Sequence, residues 1–120
     1  MQMFEKMIEI SMLYDFYGQL LTAKQQELLK LYHEDNYSLS EIAEEYGISR
    51  QGVHDAVKKA EKALHEYESK LGLISKFTAT EDAIARIDGE IDRLLAENSR
   101  NDQLTAKLNN IKSIIDTINE

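Results

Sequence analysis

Apolar side chains recur every three or four residues along most of the chain, which is the spacing that places them on one face of an α-helix. Over the first 21 residues the recurring positions are Met7, Ile10, Tyr14, Tyr17 and Leu21. The residues that widen this face are Phe4, Ile8, Leu13 and Phe16. A face of that width predicts a first helix packed between other helices.

Two capping boxes predict where the next two helices begin. In T-A-K-Q, Thr22 accepts a hydrogen bond from a backbone N–H and Gln25 reaches back. In S-L-S-E, Ser38 and Glu41 take the same two roles. The first of these helices is expected to end near residues 33–36. The side chains it is expected to bury are Leu28, Leu31 and Tyr32.

A long fourth helix is predicted after a sharp turn. Gly47 suits the left-handed backbone just past a helix end, and Ser49 is the next N-cap. Apolar positions then repeat at intervals of four and three residues up to Gly72: Val53, Val57, Ala60, Leu64, Tyr67 and Leu71. This seam is longer than a helix that reads a DNA groove needs.

The C-terminal part contains two apolar series that are out of phase by three residues. We expect a short connector, LISKF, and then a cap in T-A-T-E. The first series is Ile84, Ile87, Ile91 and Leu94, and the second is Leu104, Leu108, Ile111, Ile115 and Ile118. The polar residues 97–102 separate them. The pattern allows an antiparallel hairpin, which we favour, or one locally overwound helix.

The composition favours an all-α fold. The 120 residues include no proline and only 5 glycines, so helices can run long. We expect a helix-turn-helix domain over residues 1–76 and a helical extension over residues 77–120. The lack of cysteine rules out disulfides, thiolate metal sites and thiol nucleophiles. Since neither a targeting signal nor a membrane-spanning stretch is present, we expect a soluble cytoplasmic protein.

Residues 38–64, SLSEIAEEYGISRQGVHDAVKKAEKAL, have the pattern of a DNA-binding helix-turn-helix. Ala43 is small where the second helix must cross the first, and Gly47, four residues later, permits the turn. The residues expected to lock the helices together are Ile42, Tyr46, Ile48, Val53 and Val57. The face left free holds Arg50, Gln51, His54, Asp55, Lys58 and Lys59.

The side chains on that face suit nucleic acid, with one exception. Arg50 can pair with guanine and Gln51 with adenine. Lys58 and Lys59 are placed to contact phosphate. Asp55 is the exception, because its carboxylate repels a phosphate backbone unless it accepts from a cytosine amino group. The predicted nucleic-acid-binding residues are Arg50, Gln51, His54, Lys58 and Lys59.

The formal net charge of -8 is unfavourable for a DNA-binding protein, but it is unevenly spread. Residues 1–48 carry 9 acids and 3 bases, and residues 71–120 carry 9 acids and 6 bases. Residues 49–70 carry 4 acids and 5 bases. The window with a positive sum therefore holds the predicted reading helix, although a solvated face with clustered charges explains it as well.

The stretch from LTAKQQELLKLYHEDNYSLS to the end of the reading helix is similar to region four of bacterial sigma factors, which grips promoter DNA. More closely, LYDFYGQLLTAKQ followed by SLSEIAEEYGISRQGVHDAVKK resembles the YlxM family over residues 4–76. Such proteins are generally encoded beside the signal-recognition-particle GTPases Ffh and FtsY. The resemblance implies a regulatory or accessory role in that targeting pathway. Gly52 and Ala56, inside the reading helix, depart from the family pattern, and residues 77–120 match no motif.

No catalytic, cofactor or metal site is expected, and we predict that the protein is not an enzyme. His54 and His65 are about 16 Å apart along a helix, too far to share a metal. His33 is interpreted as a polar residue at a helix end. The glycines are scattered, so no phosphate-cradling loop exists.

Three hypotheses follow for function. The first is a homodimeric DNA-binding regulator, in which Ser38 or Thr22 also contacts phosphate and the C-terminal helices form the dimer. The second is a protein- or RNA-binding accessory factor of the signal recognition particle, with Ffh, FtsY or the particle's RNA as partner. The third is a coiled-coil assembly protein that depends mainly on residues 80–118.

Overall fold

A computed structural model describes the backbone of residues 2–118 and the side chains of residues 5–118. The chain forms α1 (Gln2–Tyr17), α2 (Ala23–Leu29), α3 (Leu39–Tyr46), α4 (Arg50–Leu71), α5 (Leu73–Glu97) and α6 (Asp102–Ile118). Within residues 2–118 there is no strand, which confirms the predicted all-α fold. The chain divides into two compact units, one up to Ile74 and one from Ser75 onward. None of the helices described is both long and apolar enough to cross a membrane.

Both predicted capping boxes are formed. The Thr22 hydroxyl accepts from the backbone N–H of Gln25, and the Gln25 side chain accepts from the backbone N–H of Thr22, both at 3.1 Å. Ser38 and Glu41 make the same reciprocal pair at 3.0 Å. After α2 the chain widens into a π-helical turn, Lys30–Glu34, which ends where the sequence predicted.

The core of the first unit lies between α1, α2, α3 and α4. Its fully buried apolar residues are Ile10, Leu13, Tyr17, Leu21, Leu28, Leu29, Ile42, Ala43, Val53, Val57, Ala60 and Leu64. The buried face of α1 is narrower than predicted, because Met7 and Ile8 are exposed. The prediction that other helices cover the wide apolar face of α1 is therefore wrong at Met7 and Ile8. The side chain of Phe4, also predicted on this face, lies outside the described residues.

The predicted LISKF connector is wrong, because α5 begins directly after Gly72 and runs through it. The Tyr17 hydroxyl, fully buried, donates to the Glu68 carboxylate and accepts from the backbone N–H of Leu73 at 3.1 Å. Glu68 also accepts from the N–H of Ile74 at 3.0 Å. Side chains of α1 and α4 thus satisfy the first N–H groups of α5, so the helix needs no cap from T-A-T-E.

The second unit is the antiparallel hairpin that the sequence favoured. α5 ends at Glu97, and the Asn101 side chain caps α6 by accepting from the N–H of Leu104 at 3.0 Å. Lys112 on α6 bonds Asp92 and lies 3.3 Å from Asp88, both on α5. A single overwound helix is excluded, because contacts between residues about 20 apart require the chain to reverse.

Candidate nucleic-acid interface

The turn between α3 and α4 is fixed by its own backbone hydrogen bonds. Gly47 takes the left-handed conformation with φ of 67°, and the carbonyl of Ala43 accepts from the N–H of Ile48 at 3.1 Å. This is the Schellman arrangement, which stops a helix and turns the chain. The Ser49 hydroxyl then accepts from the N–H of Gly52 at 2.9 Å and opens α4. Local chemistry alone therefore sets where the first turn of α4 begins.

Buried side chains lock α4 to α3 and to the core beneath. Ile42, Val53 and Val57 are fully buried, as predicted. Ile48 was expected to join them, but it is 44% exposed at the tip of the turn, so that prediction is wrong. Gly52 has a local explanation, since a Cβ there would lie 3.1 Å from the Ser49 hydroxyl oxygen that caps the helix.

The faces of α4 that are turned away from the core present the predicted binding residues to solvent. All five of them are exposed: Arg50, Gln51, His54, Lys58 and Lys59. Arg50, His54 and Lys58 follow at four-residue intervals, so they form one ridge about 12 Å long. A B-DNA major groove, about 12 Å wide, admits an α-helix with its side chains, which is about 10–12 Å in diameter. The structure leaves all five side chains on a solvent-exposed surface that spans about half the circumference of α4.

Asp55 occupies the middle of this surface and engages two of its members. Its carboxylate accepts from the Gln51 side-chain amide at 2.9 Å and lies 3.6 Å from Nδ1 of His54. Gln51 can offer its amide group to a base edge only by leaving that bond or sharing it. Asp55 therefore opposes DNA binding in two ways: its negative charge repels phosphate, and its hydrogen bond occupies the Gln51 amide.

The N-terminus of α3 is less suited to a phosphate than the sequence suggested. The Glu41 carboxylate accepts from the backbone N–H of Ser38. This hydrogen bond and the contact with the Ser38 side chain lower the pKa of Glu41 below its usual value. An anion thus already lies at this helix end, where the helix dipole favours one. A phosphate contact from Ser38 would have to compete with that carboxylate.

A buried carboxylate lies behind the exposed ridge, and sequence inspection gave it no role. Glu61 on α4 is only 6% exposed. Its Oε2 is 2.8 Å from Nε2 of His33, and its Oε1 is 3.8 Å from the ammonium groups of Lys6 and Lys58. The sequence did contain a sign that Glu61 is buried, because Glu61 follows Val57 by four residues and so lies on the apolar seam of α4. No group of three or more potential metal ligands occurs among the side chains described.

Glu61 makes the stability of the first unit dependent on pH. Burial raises the pKa of Glu61, but the hydrogen bond with His33 and the charges of Lys6, His33 and Lys58 outweigh burial and lower the pKa overall. A carboxylate with a lowered pKa in the folded state stabilises the fold above its unfolded pKa. That contribution is lost as the pH falls through the folded pKa.

Glu61→Gln is expected to lower the free energy of unfolding at pH 7 by about 1–3 kcal/mol, because it removes a buried charged partner of His33. The difference from wild type should shrink in acid, as the pH falls toward the lowered pKa of Glu61. Urea unfolding at pH 7 and at about pH 3 measures both effects. Glu66→Gln, at an exposed position of the same helix, is the matched control. A constant difference at both pH values would contradict the role of Glu61.

Comparison with known proteins shows a family to which the chain is similar over most of its length. The model of the UPF0122 family, described with the words "helix-turn-helix protein, YlxM / p13 like", matches residues 4–111. A UPF0122 protein of Listeria monocytogenes is 38% identical over 112 residues, 93% of this chain and 99% of the relative. One of Geobacillus kaustophilus is 46% identical over 91 residues, 76% of this chain and 83% of the relative. The matched range covers the whole interface and extends well into α6, beyond the residues in which family motifs were found.

Proposed function

The chain belongs to the UPF0122 family of YlxM / p13-like helix-turn-helix proteins, and from this membership we propose that it is a DNA-binding regulatory protein and not an enzyme. One observation supports the proposal above all. Along the first turns of α4, Val53 and Val57 are buried against the core while Arg50, His54 and Lys58, on the face beside them, are exposed. A helix held in this way can enter a groove without unfolding any of its anchors.

In the proposed complex the N-terminal part of α4 lies in the major groove. Arg50 and Gln51, at the start of the helix, reach base edges and pair with guanine and adenine. Lys58 and Lys59, two turns later, contact the phosphate backbone and set the register. Lys6 on α1 lies 3.8 Å from the Glu61 carboxylate and offsets part of the negative charge that Glu61 places beside Lys58.

Asp55→Asn is expected to tighten duplex DNA binding about two- to fivefold, since it removes one carboxylate from the interface. Asparagine keeps an oxygen that can accept from Gln51, so the local geometry is preserved. Fluorescence anisotropy with a labelled duplex measures the change. Glu66→Gln removes the same charge from an exposed position of α4 outside the proposed surface and should leave the affinity unchanged. Equal effects of the two variants would place the DNA elsewhere.

We further propose that residues 77–120 form a dimerisation element appended to a helix-turn-helix domain of residues 1–76. Among the hairpin residues up to Ile118, the fully buried apolar side chains are Ile91 and Leu108. Exposed apolar residues on its two helices include Ile87, Leu94, Ile111, Ile114 and Ile118. They follow heptad-like spacing on both helices, and a second copy of the hairpin would cover them in a four-helix arrangement. A dimer would also present two reading helices to two half-sites.

Ile114→Glu is expected to convert the dimer to a monomer, because a charge in an apolar interface costs several kcal/mol. Sedimentation equilibrium gives the mass directly. Asn110→Glu, at an exposed polar position of α6, is the matched control and should remain dimeric. A wild-type protein that is monomeric at all concentrations would contradict the proposed dimer.

The second candidate function is an accessory factor of the signal recognition particle that binds protein or RNA. The net charge of -8 favours it, because an acidic body suppresses non-specific association with DNA. Either function fits a cytoplasmic protein, which the lack of cysteine also suits. A binding panel of own-promoter duplex, unrelated duplex, Ffh and the particle's RNA separates the two. Binding to Ffh or its RNA without binding to either duplex would favour the accessory role.

A further inference from the structure

A cleft in the first unit opens beside the proposed DNA-binding surface. It lies between α1, the π-helical turn and α4, and has a volume of about 310 Å³. Its walls are mainly apolar, with Met7, Leu39 and Val57 among them. The polar residues that line it include Lys6, His33, His54, Lys58 and Glu61. His54 and Lys58 thus belong both to this cleft and to the exposed ridge.

The two lysines of the cleft share a single carboxylate. The ammonium groups of Lys6 and Lys58 each lie 3.8 Å from the same Oε1 of Glu61. This distance is longer than a hydrogen bond, so neither lysine spends an N–H donor on Glu61. Both side chains remain half exposed, at 50% and 51%. The two ammonium groups also lie close enough to contact each other, and their remaining N–H donors can bind a ligand from solution.

The charges in the cleft do not balance. Two ammonium groups face one carboxylate, and that carboxylate is buried and bonded to His33. The contact with Lys6 and its charge lower the pKa of Lys58, whereas the same contact and the charge of Glu61 raise the pKa of Lys6. The single carboxylate therefore favours the charged form of one lysine more than that of the other. An anion that bridged both lysines would supply the missing charge.

We propose that this cleft binds a phosphate group through Lys6 and Lys58. A tetrahedral phosphate offers several acceptor oxygens at once, so one group can accept from both lysines. Glu61 acts from behind as the residue that holds the two ammonium groups together. The phosphate is either a backbone phosphodiester of DNA held by α4, in which case the inference rests on the proposed function, or part of a free phosphorylated small molecule.

The test uses the full chain and two probes, inorganic phosphate and a labelled duplex, at constant ionic strength. Lys6→Gln removes one of the two positive charges proposed to bind the phosphate, and Lys6→Arg retains it. Lys62→Gln, at an exposed position of α4 one turn beyond Lys58, is the matched control. Amide chemical shifts follow the phosphate titration and report that each variant is folded.

Lys6→Gln is expected to weaken phosphate binding about five- to tenfold, with Lys62→Gln unchanged and Lys6→Arg close to wild type. If duplex affinity falls in parallel and the salt dependence becomes shallower by about 0.9, the phosphate belongs to DNA. If only phosphate binding falls, the ligand is a free phosphorylated molecule. If the wild-type protein binds phosphate through Lys6 but does not bind the duplex, the DNA-binding proposal is refuted and the phosphate-binding proposal for the cleft stands. Lys6→Gln and Lys62→Gln behaving alike with both probes would overturn the proposal.

Discussion

Replacing Ile42 with alanine is expected to lower the free energy of unfolding of the first unit by about 2–5 kcal/mol. Ile42 is 0% exposed and belongs to the core shared by α3 and α4. Truncation removes buried methyl and methylene groups and leaves a cavity that the capped helices cannot close by shifting. Thermal or urea unfolding followed through amide resonances of residues 5–74 measures the loss without contribution from the hairpin.

Ile48→Ala is the matched control, because it makes the same chemical change at a position that is 44% exposed. We expect a loss below about 1 kcal/mol, since little apolar surface is removed from the core. Similar losses for the two variants would mean that the turn residue packs as tightly as Ile42. In that case the α3–α4 contact would differ from the one described.

Arg50→Ala is expected to weaken binding to a preferred duplex about 5- to 150-fold, the effect of losing one good bidentate pair with a base. Arg50 is the first residue of α4 and is exposed, so truncation should not disturb the core. Binding to an unrelated duplex should change much less, so the preference between the two should fall. Competition anisotropy with both duplexes measures that ratio.

Lys59→Ala separates base reading from phosphate contact. Loss of a phosphate contact should weaken both duplexes about equally and make the salt dependence shallower by about 0.9. Arg86→Ala, an exposed arginine on α5, should change neither affinity. If Arg50→Ala lowered both affinities by one factor, as expected for Lys59→Ala, then Arg50 would be a phosphate contact and not a base reader.

Features fixed by neighbouring residues could be predicted from the sequence. The capping boxes at Thr22 and Ser38, the turn at Gly47 and the N-cap at Ser49 depend on side chains within a few residues of the backbone groups they satisfy. The hairpin also followed from local information, since residues 97–102 are polar and lie where the apolar series changes phase. The exposure of the predicted binding residues could also be predicted, because α4 is a regular helix and their positions on it follow from the residue spacing.

Features that depend on distant residues could not be predicted in this way. α5 begins early because Tyr17, more than 50 residues away, accepts from one of its first N–H groups. Glu61 is buried because His33 and Lys6 come from other parts of the fold to meet its charge. The exposure of Ile48 depends on what packs beside the turn, and an apolar residue at helical spacing does not reveal that.

The most direct measurement is an NMR titration of the isotope-labelled full chain with a duplex from its own promoter region. If the exposed face of α4 binds DNA, the largest amide shifts should fall within residues 49–59, and they should weaken as salt is added. No shift with excess duplex at low salt, or shifts confined to residues 75–118, would contradict the proposal that α4 grips DNA.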